Sequence, residues 1–269
     1  MSKIGAALGE IHNLSTSAQQ QGPWQSLHPL AKLLTTVGYI LLLMSFDKYA
    51  LMGIASMGVY PLLAFHKGGL SYRTALKRLL FVLPLVAFVG IANPFFDKHV
   101  FLLGPWQIGA GYISFFSLLL KGLLAVLASY LLIATTTIEQ ICYALRLLQL
   151  PKLLVTQLLL SYRYLTLLLE QADTIAQAYA LRAPKQKGVH FKVWGSLAGQ
   201  LLLRSIDRAN NLYDSMLLRG YQGEYYYGGP LPSWGRRDCL YLLGLVSTLL
   251  AVALLPGERL LGQLMSFLG

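Results

Sequence analysis

Long apolar segments alternate with short polar loops along most of this chain. A helix needs about 20 mostly apolar residues to cross the hydrocarbon core of a membrane. Five segments meet this need, although the first, second and fifth are near the short limit. They run from about Leu30 to Phe46, Tyr49 to Phe65, Leu79 to Phe96, Ile108 to Thr135 and Leu240 to Leu255. The pattern predicts an all-α, polytopic membrane protein with about five transmembrane helices.

The charges of the connecting loops predict the orientation of these spans. The loop between the second and third spans carries basic residues and no acid, namely Lys67, Arg73, Lys77 and Arg78. The segment between the fourth and fifth spans is also basic, whereas the other loops are close to neutral, as with Asp47 and Lys48. Since cytoplasmic loops carry the excess of Lys and Arg, we expect a multi-pass inner-membrane protein with a cytoplasmic N-terminus and an external C-terminus.

About a hundred residues separate the fourth and fifth spans, too many for a simple connection. Three cytoplasmic helices are predicted there, from Thr137 to about Leu150, from Lys152 to about Arg182 and from about Phe191 to Leu218. Thr137 is suited to cap the first helix, which Pro151 ends. Ala183 precedes Pro184 and is thereby pushed out of helical geometry, while Gly220 suits a left-handed cap. The chain therefore carries a long helical insert.

Parts of this insert are apolar without being predicted to cross the membrane. The segment 152–169 is rich in leucine, but Gln157, Arg163 and Glu170 argue against burial in lipid, so we expect it to graze the membrane. On the next helix an apolar stripe recurs at three- and four-residue steps: Phe191, Trp194, Ala198, Leu201, Ser205, Ala209, Leu212 and Met216. These faces need a partner, which is the other helix, the bilayer or another chain.

Composition supports a membrane protein and offers few groups for catalysis. The chain is 55% hydrophobic and 12% charged, whereas a soluble domain has about 25% charged residues. Its net charge of +11 is explained by loop topology without nucleic acid. The five His and two Cys lack ligand spacing, and no phosphate-binding loop or hydrolase motif occurs. We predict no catalytic residue, no metal site and no cofactor.

Lys121 is a charged residue well inside the fourth span. An unpaired charge at that depth is costly, so it needs a polar group or water within reach. We expect Lys121 either to snorkel or pair between helices of this chain, or to face the helix of a partner.

Two helix ends in the insert share one pattern. Ala180-Leu181-Arg182-Ala183 closes the second helix and Leu217-Leu218-Arg219-Gly220 closes the third. A cation at a helix C-terminus is favourable by about 0.3–1 kcal/mol, which explains one such end without further function. Two such ends suggest tips that present an arginine to another protein, because the planar guanidinium can grip carboxylates or carbonyls across an interface. These eight residues are the candidate partner-binding site.

At these residues the chain resembles the transmembrane coupling (T) component of energy-coupling factor (ECF) transporters, in which two coupling helices each end in Ala-Arg-Gly. His28-Pro29-Leu30-Ala31-Lys32-Leu33 is similar to that family's Asp-Pro-Arg-x-Lys-Leu at the start of the first span. Asp214-Ser215-Met216-Leu217-Leu218-Arg219-Gly220-Tyr221 is similar to its second motif. The chain departs from the family at Ala183, where Gly is usual, and at Leu181 and Leu218, where Ala is usual. The resemblance spans roughly Leu27 to Trp234 and is strongest to the CbiQ-type cobalt/nickel branch.

The resemblance implies a non-catalytic subunit of an ATP-driven importer for cobalt or nickel. The implied partners are two ATP-binding cassette ATPase subunits, a substrate-binding membrane component of the cobalt/nickel M type and, as a further candidate, a small N-type subunit. The lipid bilayer surrounds the spans, and no nucleic-acid partner is implied. A T component for vitamin uptake and an integral-membrane enzyme acting on lipid substrates are the alternatives.

This organisation divides the chain into four parts. We expect a cytoplasmic N-terminal segment at 1–28 and membrane spans one to four at 29–135. The cytoplasmic coupling helices follow at 136–239, and the fifth span with an external tail occupies 240–269.

Overall fold

The structure is a computed structural model that describes residues 9, 27–68, 72–93, 100–103, 106–184, 189–223, 234–236 and 238–244. It is helical, as predicted, with one short antiparallel pair of strands that the all-α prediction omitted. The helices are α1 (Pro29–Ser45), α2 (Leu51–Met57), α3 (Val59–Gly68), α4 (Tyr72–Gly90), α5 (Ala110–Thr135), α6 (Ile138–Leu147), α7 (Lys152–Arg182) and α8 (Phe191–Leu218). The strands are β1 (Val100–Leu103) and β2 (Trp106–Gly109), and residues 238–244 are again helical.

The chain divides into two compact units. The bundle unit holds Ala18–Thr136 together with Leu231–Gly269. The insert unit holds Thr137–Pro230 together with Met1–Ser17. The chain therefore leaves the bundle unit after Thr136 and returns to it at Leu231.

The bundle unit is built around α5. One buried apolar cluster combines residues of α1 and α2 with α5, namely Tyr39, Leu43, Ile54, Met57, Leu124 and Ala128. A second combines residues of α3 and α4 with α5, namely Ala64, Phe65, Ala75, Tyr130, Leu131 and Ala134. Gly122 lets α4 approach closely, because a Cβ there would lie 3.0 Å from a side-chain carbon of Val86. Each helix of the bundle thus buries one face against α5.

Two lysines join α1 and α5 in a reciprocal arrangement. Lys32, near the start of α1, donates from Nζ to the carbonyl oxygen of Thr135 at the end of α5, 3.0 Å away. Lys121 in α5 donates to the carbonyl oxygen of Phe46, the C-terminal cap of α1. On α1, Lys32 and Phe46 are fourteen residues apart, and on α5, Lys121 and Thr135 are also fourteen residues apart. The two helices therefore run antiparallel in matching register over about 21 Å. Lys121 therefore pairs within this chain, the first of the two alternatives expected for it.

The second predicted span is interrupted at one residue, Gly58, which separates α2 from α3 while keeping right-handed helical angles. Pro61 has no N–H to donate to the carbonyl of Met57, four residues earlier. The hydroxyl of Tyr39 donates to that carbonyl instead, at 2.9 Å. A Cβ on Gly58 would lie 3.4 Å from Leu124, so the broken segment sits tightly against α5. A side chain of α1 thus satisfies a backbone group that the break leaves open, as membrane interiors require.

Among the described residues, two helices are long and apolar enough to cross a membrane by length and composition. They are α5, from Gly111 onwards, and α7. α1 and the segment Leu51–His66 are apolar but shorter, and most of the fifth predicted span lies outside the described residues. Five spans therefore stay a prediction. So does the expectation that residues 152–169 keep out of the lipid, since α7 passes the same test of length and composition.

α7 and α8 have the predicted bounds, whereas α6 ends at Leu147, before the predicted Leu150, and Gln149 beyond it has a φ of 61°. Thr137 caps α6 in a capping box: its Oγ1 accepts from the N–H of Gln140, and Oε1 of Gln140 accepts from the N–H of Thr137, each at 3.3 Å. Because α5 ends at Thr135, only Thr136 stands between the end of α5 and the cap of α6. The link from the bundle into the insert is therefore short.

The apolar stripe predicted on α8 is correct only towards its C-terminal end. Leu201, Ser205, Leu212 and Met216 are half-buried, whereas Phe191, Trp194, Ala198 and Ala209 are exposed. The half-buried positions of the first turns are instead Val193 and Leu197. α8 packs one face on α7. The apolar surface of α8 is wider than this contact, so the three- and four-residue periodicity alone predicted the wrong residues to be buried in its N-terminal half.

We expect Tyr39→Phe to destabilise the bundle unit. The substitution removes the donor to the buried Met57 carbonyl and leaves that group unsatisfied, which costs about 1–3 kcal/mol. The matched control is Ser56→Ala, which removes a hydrogen bond of 2.7 Å to the Gly53 carbonyl at an exposed position. Thermal unfolding of the detergent-purified protein should show a lower midpoint for Tyr39→Phe only. Equal midpoints for the two variants would mean that the Tyr39 hydroxyl does not support the broken helix.

Candidate functional site

The C-terminal end of α8 forms a Schellman motif. Gly220 has a φ of 80° and donates its N–H to the Leu217 carbonyl at 2.9 Å. Tyr221 donates its N–H to the Met216 carbonyl, also at 2.9 Å. Arg219 is the helix cap between them. A Cβ on Gly220 would meet nothing within 4 Å, so the left-handed backbone, not crowding, favours glycine at this position.

The C-terminal end of α7 has a different geometry. Its cap, Ala183, has a φ of −128°, and its N–H donates to the Tyr179 carbonyl at 3.0 Å. Pro184 follows and prevents the helix from continuing. An L-residue adopts this backbone without strain, which explains why alanine stands here and glycine stands at the end of α8. The two tips share the Leu-Arg pair but not the turn that follows it.

The predicted docking residues are accessible at both tips. Arg182 and Arg219 are exposed, as are Ala180 and Leu217, and only Ala183 is half-buried. The side chains of Leu181 and Leu218, where the ECF motif has alanine, are 83% and 90% exposed. Each tip therefore presents a leucine and an arginine side by side.

The two tips lie at different places along the insert. Arg219 and Gly220 line a cleft of about 640 Å³ together with Leu160, Arg163 and Tyr164 of α7. From Arg163, α7 continues for nineteen residues to Arg182, which is about 28 Å of helix. The structure therefore does not bring the two arginines together, and each belongs to a separate surface.

A buried polar cluster at the start of α1 was missed by the sequence analysis. The carboxylate of Asp238 accepts from the backbone N–H of His28 at 2.7 Å through Oδ1 and from that of Gly235 at 2.9 Å through Oδ2. The second bond is a local cap, because Gly235 precedes the first turn of the last described helix. The first joins residues 210 positions apart in sequence. One carboxylate thus both caps the last helix and fixes it to the first.

Lys32 and Trp234 complete this cluster. Lys32 and Asp238 are each only 4% exposed, and their charges attract each other. The ring of Trp234 meets that of His28 edge to face, with centroids 5.0 Å apart. His28 is the N-cap of α1, and its Nδ1 accepts from the N–H of Leu30 at 3.2 Å. Burial lowers the pKa of His28; Asp238 opposes this shift and Lys32 adds to it.

The sequence held one overlooked signal for the cluster. Lys32 lies inside the predicted first span, and an ionisable residue there marks a candidate site in the same way as Lys121 does. Asp238 carried no such signal, because nothing in its local sequence relates it to His28. Within the described residues, no group of three or more His, Cys, Asp and Glu is placed to hold a metal ion.

Comparison with known proteins identifies the family. The chain matches the family model described as CbiQ, cobalt transport protein, over residues 21–227, and it belongs to this family of membrane transport proteins. It is similar to the nickel permease LarQ of Lactiplantibacillus plantarum, with 31% identity over 132 residues, which cover 49% of this chain and 46% of the relative. It is also similar to the cobalt transport protein CbiQ of Salmonella typhimurium, with 29% identity over 129 residues, covering 46% and 56%. The alignments span about half the length of these curated relatives. The CbiQ-type branch, to which the resemblance was strongest, is confirmed.

Two glycines of α8 should respond in opposite directions to alanine. Gly220→Ala forces an L-residue into the left-handed conformation and should cost about 1 kcal/mol. Gly195→Ala, inside the helix, should stabilise it by about 0.5–1 kcal/mol. An added Cβ meets nothing within 4 Å at either position, so steric crowding does not contribute to the contrast. Hydrogen exchange of the last turn of α8 should rise in the first variant and not in the second. Equal protection in both would contradict the role of the left-handed cap.

The pH dependence of stability should reveal the buried imidazole of His28. Because burial lowers its pKa in the folded protein, neutral His28 stabilises the fold fully above about pH 6.5, and this contribution is lost as the pH falls below that value through the folded pKa. His28→Asn keeps a capping acceptor that does not titrate. The drop in unfolding midpoint between pH 7.5 and pH 5.5 should therefore be smaller in His28→Asn than in the wild type. His66→Asn, at an exposed histidine, should keep the wild-type drop; a wild-type drop in His28→Asn would contradict the assignment.

Proposed function

We propose that this protein is the transmembrane coupling subunit of an ATP-driven ECF-type importer. It transmits the conformational change of two ATP-binding cassette ATPases to a substrate-binding membrane partner. The observation that carries this proposal is that two long helices of the insert each end in an exposed Leu-Arg pair, about 28 Å apart along α7. Two separated tips of similar chemistry suit two copies of one type of partner.

The residues of each tip have distinct roles in this proposal. Arg182 and Arg219 hydrogen-bond carbonyl or carboxylate groups of the ATPases through their guanidinium forks. Leu181 and Leu218 fill apolar recesses beside them, and burial of a leucine contributes about 1.5–3 kcal/mol. The small residues Ala183 and Gly220 leave room for the partner at the end of each helix. α7 and α8 are uninterrupted over 31 and 28 residues, which suits them to act as levers.

The transported substrate is proposed to be cobalt or nickel. The family is described by cobalt transport, and the two relatives are a nickel permease and a cobalt transport protein. These descriptions favour a metal over a vitamin, and transport over the enzymatic alternative. The metal site itself is assigned to the M-type partner, with a small N-type subunit as a further component, because this chain was predicted to hold none.

The proposed topology places five spans in the inner membrane, with the N-terminus and the insert in the cytoplasm and the C-terminus outside. The guanidinium of Arg78, in the first half of α4, lies over the ring of Tyr130 at 4.8 Å. Tyr130 stands near the end of α5, from which the insert starts. The basic end of α4 and the start of the insert are therefore on one side of the bundle, which supports a single cytoplasmic face. The four parts 1–28, 29–135, 136–239 and 240–269 follow from this topology.

Reversing the charge at both tips should abolish docking. We expect Arg182→Glu combined with Arg219→Glu to remove the ATPases from the purified complex, because each glutamate would face the groups that an arginine binds. Loss of a buried charged contact at an interface costs about 2–5 kcal/mol, or roughly 30- to several-thousand-fold in affinity. The measurement is tagged purification of the chain co-expressed with its ATPase and membrane partners.

The matched control is Arg204→Glu, which reverses an exposed arginine of α8 away from the tip and should retain the ATPases. A double variant that still brings down the ATPases in wild-type amounts would refute the docking role of the tips. Loss of the ATPases in the Arg204→Glu control as well would assign docking to the general charge of the insert.

A further inference from the structure

The buried polar cluster lies within the bundle unit, beside the two points where the chain passes to and from the insert. The insert begins after Thr136, and the neighbouring carbonyl of Thr135 accepts from Lys32 at 3.0 Å. It returns before Asp238, whose carboxylate accepts from the N–H of His28 at 2.7 Å. Both acceptors therefore bond to one short segment, the first turn of α1 and its cap. We name the outgoing junction (Thr135 and Thr136) and the incoming junction (Trp234, Gly235 and Asp238) the two roots of the insert.

The side chains of Thr135, Thr136 and Asp238 are buried, whereas that of Trp234 is 48% exposed. Thr135 donates its hydroxyl back to the Leu131 carbonyl at 2.8 Å, and both Thr135 and Thr136 are buried. Asp238 accepts from two backbone N–H groups and faces the charge of Lys32. Two buried opposite charges add little net stability compared with apolar residues of similar size. Precise and rigid placement of the roots explains the buried charges of Lys32 and Asp238 better than a gain in stability does.

We propose that His28, Lys32 and Asp238 form a root clamp, a set of positioning residues that fixes both roots of the insert to α1 so that movement of the tips is passed to the bundle. This inference rests on the coupling role proposed above. With only Thr136 between α5 and the cap of α6, a displacement of the insert reaches α5 directly. If a root came loose from α1, the same displacement would be absorbed at the junction.

The clamp predicts uncoupling without loss of assembly. Lys32→Met and Asp238→Asn are introduced separately into the chain, in complex with its ATPases and membrane partner, and reconstituted in liposomes. Uptake of Co²⁺ and Ni²⁺ and hydrolysis of ATP are measured on the same preparation. We expect the ratio of metal taken up to ATP hydrolysed to fall by at least about fivefold, a typical size for coupling between sites, while the ATPases still co-purify. Controls are Lys192→Met and Asp207→Asn on exposed positions of α8, which should keep the wild-type ratio.

Conservative variants keep the test decisive where the neutral ones fail to assemble. Asp238→Glu keeps the charge and the local cap but moves the carboxylate by one methylene, so its ratio should also fall. Lys32→Arg keeps a cationic donor towards Thr135 and should retain more coupling than Lys32→Met. An unchanged ratio in the assembled variants would overturn the root clamp. So would a parallel loss of uptake, hydrolysis and assembly in Asp238→Glu and Lys32→Met, which would indicate a purely structural role.

The same experiment separates this inference from the function on which it rests. If the wild-type chain brings down no ATPase, the coupling function itself is wrong. If the wild type assembles and transports, and the clamp variants keep its ratio, the coupling function stands and only the root clamp is refuted.

Discussion

The pairing of α1 with α5 through two buried lysines is the constraint on which the bundle unit depends. Each lysine donates to a carbonyl at the C-terminal end of the opposite helix, Lys32 to Thr135 and Lys121 to Phe46. These ends carry unpaired carbonyls and the negative pole of the helix dipole, so a cation is favourable there and the lysine is itself satisfied. A register shift of either helix would break both contacts at once. The other helices of the unit then add their apolar faces to α5.

This arrangement also places the two ends of the insert. Because Lys32 reaches the last carbonyl of α5, the first turn of α1 lies beside the point where the chain leaves the bundle. The same turn receives the returning chain through Asp238. The long helices α7 and α8 lie beyond this point and carry the two exposed Leu-Arg tips.

Local patterns predicted the insert well and its packing poorly. The start of α6 depends on its capping pair, and the ends of α7 and α8 depend on Pro184 and Gly220. All of these residues act within a few positions of sequence. The contact face of α8 depends on how it packs against α7, which local sequence does not record. For this reason the predicted stripe included Phe191 and Trp194, which are exposed. Gly58 and Pro61 carried a local signal for the break in the second span, but the hydroxyl that satisfies the break comes from α1.

The sequence alone determined the helical class, the two long helices of the insert with their arginine-tipped ends, and the family to which the chain belongs. These features are encoded in composition, spacing and short motifs. Such signals can be recognised without knowing which residues lie close together in the fold. The tertiary structure decided the separation of the tips, the pairing of Lys32 and Lys121 with distant carbonyls, and the union of His28 with Asp238 across 210 positions. Hydrogen bonds between residues so far apart depend on how helices pack, and no local pattern of residue types records that geometry.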